Sequence, residues 1–215
     1  MIFYATALSS YSAKVRIVLC AKSVDFEERE PPGGYRSEAY QAIVPMGTLP
    51  AIQEGVWVLS ESEAINEYLE EAYPKPAMLP TDAQLRGHVR FVCRFHDMYL
   101  EPLVRTLFAQ VKPSHRQAEV VTAQRLEIER RLGQLLHWAR PQPYLLTPEL
   151  SLADCGLLVT LPLAQEILAA CGQQLAVPTA LRNWHAAASA HPAVVQALAP
   201  WTLATRAWLS QSARA

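Results

Sequence analysis

Leu8-Ser9-Ser10-Tyr11-Ser12-Ala13-Lys14-Val15-Arg16 is the turn on which the reading of this chain depends. Upstream of it, Ile2-Phe3-Tyr4 is a short strand candidate. Downstream, Val15, Val18, Leu19 and Lys22 recur at helical spacing. The run therefore joins a strand to a helix and places hydroxyls at the helix start. Serine at such a place is ordinarily a cap, because its oxygen satisfies an exposed backbone amide. The same place is also the positive end of a helix, which stabilises anions, thiolates included. A serine hydroxyl there can donate one hydrogen bond to sulfur.

Working outward, Val24 to Arg29 is strand-like, and Leu49 to Gln53 and Val56 to Leu59 flank Glu54-Gly55, a hairpin signal. Ile65, Tyr68, Leu69 and Ala72 follow at i, i+3, i+4 and i+7, so a helix closes the segment. Strand, helix, strand, hairpin and helix make a small α/β layer. Tyr73-Pro74-Lys75-Pro76-Ala77-Met78-Leu79-Pro80 then breaks the pattern as a stiff, extended linker.

Beyond Pro80 the pattern is helical. Val89, Val92, Cys93, His96, Leu100, Leu103 and Leu107 form one stripe, which Pro102 should kink without ending. Val121, Ile128, Leu132 and Leu135 form a second, and Ser151-Leu152-Ala153-Asp154 reads as a capping box. Shorter helices are expected after Pro178 and Pro192. His96, on an apolar stripe, reads as a satisfied core or interface histidine, and Asp154 as a cap.

Two further segments bear on chemistry. In Val44-Pro45-Met46-Gly47-Thr48-Leu49-Pro50-Ala51-Ile52, Pro50 cannot supply an amide to a sheet ladder. Either it is a trans proline opening an edge strand, or a cis Leu49–Pro50 bond frees the backbone of Leu49 for an extended, peptide-like ligand. In Leu59-Ser60-Glu61-Ser62-Glu63-Ala64-Ile65, Ser60 or Ser62 is a candidate helix cap. Alternatively, the Ser62 hydroxyl and the fresh amides suit a ligand carboxylate, and Glu61 a ligand ammonium.

Composition narrows the function classes. The chain has 215 residues, 51% hydrophobic, with a net charge of −1, which supplies a packed interior and no basic patch for nucleic acid. Cys20, Cys93, Cys155 and Cys171 are far apart, form no CxxC pair and argue against zinc. Met1 to Leu8 lacks the basic region and cleavage site of a signal peptide. The apolar run Leu157 to Leu163 ends too soon to span a bilayer. A soluble, cytoplasmic protein is expected, with no membrane partner.

Taken in order, these segments resemble the cytosolic glutathione transferases of serine type. Ser9 to Leu19 is similar to the zeta-class S-S-C-S-x-R-V-R-I-A-L and the tau-class S-P-F-x-x-R-V-R-I-A-L. Gly47-Thr48-Leu49-Pro50 falls where the family has G-x-V-P with a cis proline. Glu61 to Leu69 matches E-S-x-A-I-x-x-Y-L, and Leu150 to Asp154 matches F-[ST]-x-A-D.

The resemblance implies a thioredoxin-like α/β domain over residues 1–76, a linker over 77–84 and an all-α helical bundle over 85–215. It implies glutathione as co-substrate, no metal, and a homodimer. Ser9 would activate the thiol, with Ser10 a supporting donor. Leu49 and Pro50 would hold the cysteinyl part, and Glu61 and Ser62 the γ-glutamyl part. Arg36, or else Lys14, would take the glycyl carboxylate. Tyr11, Tyr99 and Leu103, with Phe108 and Trp201, are candidates for an acceptor pocket.

The activity expected is conjugation of glutathione to a small hydrophobic electrophile, or peroxide reduction. A zeta-like maleylacetoacetate isomerase is the nearest alternative. Tyr11 at the zeta-class cysteine position, Glu61 for the usual glutamine and Val44 for the usual asparagine depart from that pattern. Lys14 to Leu19 and Pro143 to Cys155 also resemble stringent starvation protein A, a non-catalytic partner of RNA polymerase. That family's Pro-His-Pro linker reads Pro74-Lys75-Pro76 here.

Overall fold

The computed structural model describes residues 1–212. Its first part is a four-stranded sheet: β1 (Ile2–Tyr4), β2 (Glu27–Arg29), β3 (Ala51–Glu54) and β4 (Trp57–Ser60), in the order β2-β1-β3-β4. β1 runs parallel to β2 through the crossover helix α1 (Ser10–Ala21), and β3 and β4 are antiparallel additions. α2 (Glu38–Gln41) is a single turn, and α3 (Ser62–Ala72) closes the layer. The hairpin turn is Gly55-Val56, one residue later than the sequence suggested. Gly55, at φ +60°, takes the turn position that disfavours a side chain.

The linker is clamped as well as stiff. The buried Lys22 ammonium donates to the carbonyls of Tyr73 (2.8 Å) and Pro76 (2.9 Å) and pairs with Glu70 at 2.6 Å. Glu70 in turn accepts the amides of Met78 and Leu79. The second part is helical: α4 (Ala83–Phe95), α5 (Glu101–Thr106), α6 (Ala118–Leu135), α7 (Leu152–Ala170), α8 (Thr179–Ala188) and α9 (Pro192–Ser212). α4 opens within the expected linker because Asp82 caps it, accepting the Leu85 amide at 2.7 Å. α7 has the length and composition of a membrane span, but 78% of that window is buried inside the protein, so it is the core helix of the bundle.

Three sequence expectations are corrected. Pro102 lacks an N–H and its ring would meet the preceding turn. The chain accommodates it with a π turn over His96–Leu100, where the Glu101 amide bonds the His96 carbonyl. That turn inserts one residue, so Val104 (1% exposed) takes the core position that the stripe assigned to Leu103, which is only partly buried. Second, neither Ser60 nor Ser62 caps α3; its N-cap is Glu61, at φ +73° and without a side-chain cap bond. Third, the helix after Pro192 is long and continues through Pro200, because Val194, Ala197, Trp201 and Thr205 bury one face of it.

Candidate active site

One cavity of about 930 Å³ opens between the two parts of the chain. Of the expected site residues, Ser9, Ser10, Tyr11, Arg36, Leu49, Glu61 and Ser62 line it. Phe108 lines it too. Its floor is made by the N-termini of α1 and α3. The first amides of each lack intrahelical partners, and those of Ser62, Glu63 and Ala64 have no acceptor among the described residues. Two helix ends converging on one space make it a strongly anion-favouring region.

Ser9 is the N-cap of α1, its oxygen accepting the Ser12 amide at 3.1 Å. Its proton is donated to no group among the described residues. The cap and the donor readings are therefore compatible: the lone pair serves the helix while the O–H is free for the cavity. Ser10 is different. Its hydroxyl donates to Glu101 Oε1 at 3.0 Å, so its proton is not available to a sulfur, a correction to its expected role. Tyr11 likewise donates to Glu101 Oε2 at 2.9 Å. Burial, then Glu101, raises its phenol far above the usual tyrosine range, so it stays protonated.

The Leu49–Pro50 bond is cis, and neither the N–H nor the C=O of Leu49 has a partner among the described residues. Pro50 is buried behind Leu49 and does not line the cavity. The segment is held from below by the fully buried Tyr40, whose hydroxyl donates to the Thr48 carbonyl at 2.8 Å and whose ring meets Tyr4 edge-on. Gly47, at φ +61°, lets this loop pass Arg36; a Cβ there would sit 3.2 Å from the Arg36 Cα. Glu61, at φ +73°, is the kind of backbone outlier that recurs at ligand clamps.

Arg36 is exposed on the cavity rim, stacked on Tyr35, and forms no ion pair among the described residues. Lys14 is no candidate for a ligand. It is 2% exposed and bound to Asp97 and Glu63, each at 2.9 Å. Tyr99 points away from the cavity, its ring against Phe95 and under the Arg131 guanidinium on the α4–α6 face. Leu103 was displaced by the π turn, and Trp201 lies in the core.

Sequence reasoning missed the far wall, which comprises Arg94, Asp97, Met98 and Arg105. Buried behind it is Glu101, 2% exposed, which receives Ser10, Tyr11 and Arg105. Burial pushes the Asp97 carboxyl up, but the hydrogen bond from His96 and the Lys14 ammonium outweigh it and hold it at about 2. His96 is a satisfied core histidine, bridging Asp97 (2.8 Å) and Thr160 (2.7 Å). The available signal was two acids, Asp97 and Glu101, four residues apart on a stripe leading into a proline. All four cysteines are free, and burial raises each thiol, Cys93 and Cys155 well above the usual range.

Residues 3–77 match the family model of the glutathione S-transferase N-terminal domain, and residues 95–192 that of the glutathione S-transferase C-terminal domain. The chain belongs to the glutathione S-transferase family. It is similar to a maleylacetoacetate isomerase of Pseudomonas aeruginosa, 38% identical over 110 residues, which are 48% of this chain and 51% of that one. The match thus spans about half of that relative's length. A stringent starvation protein A homolog of Coxiella burnetii is 28% identical over 72% of this chain and 71% of its own. The holo structure of a bacterial maleyl pyruvate isomerase, a zeta-class transferase, superposes with a TM-score of 0.75 at 27% identity, covering 93% of this chain and 97% of that one.

Proposed function

We propose that this protein is a glutathione-dependent transferase in which Ser9 activates the thiol. The observation that carries the reading is the Ser9 hydroxyl itself: its oxygen is engaged by the helix, its proton has no acceptor among the described residues, and it stands at the positive end of α1 on the cavity wall. Glutathione fits as an extended peptide. The γ-glutamyl carboxylate would meet the free amides of α3 and the Ser62 hydroxyl, and its ammonium Glu61. The cysteinyl unit would pair with the Leu49 backbone, and Arg36 on the rim would hold the glycyl carboxylate.

A free thiol of pKa ~8.5 is mostly protonated at neutral pH, and each unit of lowering corresponds to about 1.4 kcal/mol. One hydroxyl donor and a helix end together supply roughly 1–3 kcal/mol. The thiolate then attacks an electrophile held against Leu8, Tyr11, Met98 and Phe108. A sulfur–carbon bond forms from the thiolate pair, and the leaving group or an added proton closes the balance. Proximity supplies the rest of the acceleration.

A second reading, isomerisation of a dienoic acid, has specific support. Arg94 lines the cavity and forms no ion pair among the described residues, which suits a carboxylate-bearing acceptor, and isomerases stand among the relatives. Turnover of maleylacetone against turnover of a neutral electrophile separates the two. A homodimer built on the exposed Met98 and Tyr99 belongs to either reading, and light scattering tests it. For Ser9→Ala we expect the bound thiol to titrate about one unit higher and neutral-pH turnover to fall about tenfold, with little change in the KM for glutathione. An unchanged thiol titration would reject the role given to Ser9. Failure of the wild type to bind to immobilised glutathione would reject the whole reading.

A further inference from the structure

Ser9, Ser10 and Tyr11 place three consecutive hydroxyls on the wall of one cavity, yet the fold distributes their protons unequally. Ser10 donates to Glu101 Oε1 at 3.0 Å and Tyr11 to Glu101 Oε2 at 2.9 Å, while the Ser9 proton is uncommitted among the described residues. Glu101 comes from the opposite part of the chain. It is the first residue of α5, turned toward α1 immediately after the π turn, and only 2% exposed. Its charge is balanced by Arg105, whose Nη2 and Nε donate to it at 2.6 and 3.2 Å. Among the described residues, all the hydrogen bonds of this carboxylate therefore run to groups on the cavity wall.

We infer that Glu101 is a positioning residue for the bound thiol: at some cost in thiolate it takes up the protons of Ser10 and Tyr11 and leaves Ser9 as the one hydroxyl of the three that faces the sulfur. This rests on the glutathione reading above and adds to it a residue from the helical part of the chain. The logic is one of competition. A thiolate at a helix end accepts from whichever donors are loose. With two of three adjacent donors tied to a buried carboxylate, the sulfur has one defined partner and one defined position. The pairing with Arg105 keeps the buried carboxylate from repelling the thiolate.

Glu101→Gln tests the idea. A neutral amide of the same shape offers one acceptor oxygen and two donor hydrogens, so one of the two hydroxyls regains its proton, and Arg105 loses its counter-charge. Both changes favour a thiolate. The bound-glutathione thiol, followed by its ultraviolet absorbance against pH, is expected to titrate roughly 0.5–1 unit lower than in the wild type, a 3- to 10-fold gain in thiolate below that pKa. The Ser9→Ala penalty, about tenfold in the native background, should shrink to about threefold in Glu101→Gln, because a second hydroxyl now reaches the sulfur. Adding Ser10→Ala and Tyr11→Phe to the double variant should restore the full penalty.

If Ser9→Ala acts equally in both backgrounds and Glu101→Gln leaves the thiol titration in place, the inference is overturned while the role of Ser9 stands. If Ser9→Ala has no effect in the native background, both fall. Should Glu101→Gln not fold, the Ser10→Ala/Tyr11→Phe variant with Glu101 intact decides. The bound thiol should then shift by less than about half a unit, and a rise of a full unit or more would show that those protons reach the sulfur and overturn the inference.

Discussion

Gly156→Ala should destabilise the protein even though it replaces glycine by the best helix former. Gly156 lies in α7, and a Cβ built there would stand 2.6 Å from His96 Nδ1, 2.7 Å from Cγ and 2.8 Å from Cε1. Ordinary contact needs roughly 3.5 Å, so the imidazole must retreat by most of an ångström. It has little room, since Thr160 holds one nitrogen at 2.7 Å and Asp97 the other at 2.8 Å. Overpacking of a tight core costs about 1–3 kcal/mol, and losing the bond to a charged carboxylate about 1.5–3 kcal/mol. Alanine returns about 1 kcal/mol of helix propensity. The net loss is about 1.5–5 kcal/mol, or roughly 3–20 °C in Tm for a chain of this size. Urea and thermal unfolding measure it, and a double-mutant cycle with His96→Ala assigns it. Removing the ring should recover most of the packing loss, so the two substitutions together should cost well under the sum of each alone. Strict additivity, or a Gly156→Ala protein at least as stable as the wild type, would refute the argument.

Three other outcomes follow from the charges and caps. Lys14→Met strands the largely buried Asp97 and Glu63 and should cost roughly 3 kcal/mol in urea, whereas Arg90→Met, at the exposed pair with Glu67, should cost under about 1 kcal/mol. Asp97 titrates at about 2 in the folded chain, against ~3.9 when unfolded. The unfolded state therefore binds its proton first. Its stabilisation, about 2–3 kcal/mol, is complete above roughly pH 4 and is lost as the pH falls toward 2, a decline that Asp97→Asn should lack in acid-unfolding curves. Asp154→Ala leaves the Leu145 and Ser151 amides and the Trp184 indole N–H without their buried acceptor. It should cost about 4 kcal/mol, with a red-shifted Trp184 fluorescence that distinguishes local loosening from a distant effect.

Local chemistry was legible in the sequence and long-range chemistry was not. Ser9 as a cap and Glu61-Ser62 as a helix entrance depend on neighbours within a few residues, so their types announce them, whereas Pro50 left cis and trans open until the structure showed cis. Leu103 was misplaced because periodicity assumes a constant 3.6 residues per turn, and the π turn ahead of Pro102 breaks that assumption. Ser10 was misread for another reason. Which partner receives a hydroxyl proton depends on Glu101, 91 positions away, and no local pattern encodes that approach. Lys14 looked like a free cation because both of its acids, Glu63 and Asp97, are remote in sequence.

These long-range contacts converge on α1. Ser10 and every residue from Ser12 to Leu19 are buried, the two cations included, because α1 packs against α3 on its own side and against α7 and α9 on the other. Burial of Lys14 and Arg16 is tolerable only with partners in place: Asp97 and Glu63 for the first, Glu28 for the second. The N-terminus of α1, where Ser9 stands, is thus fixed from the helical part of the chain by two carboxylates, Asp97 one turn into the helix through Lys14 and Glu101 at the helix start through Ser10 and Tyr11. Both sit at the π turn, so the helical irregularity that defeated the sequence pattern is also the element that aims the Ser9 end of α1. The sheet layer supplies the backbone groups that would recognise a peptide, but the orientation of the Ser9 hydroxyl belongs to the contact between the two parts of the chain.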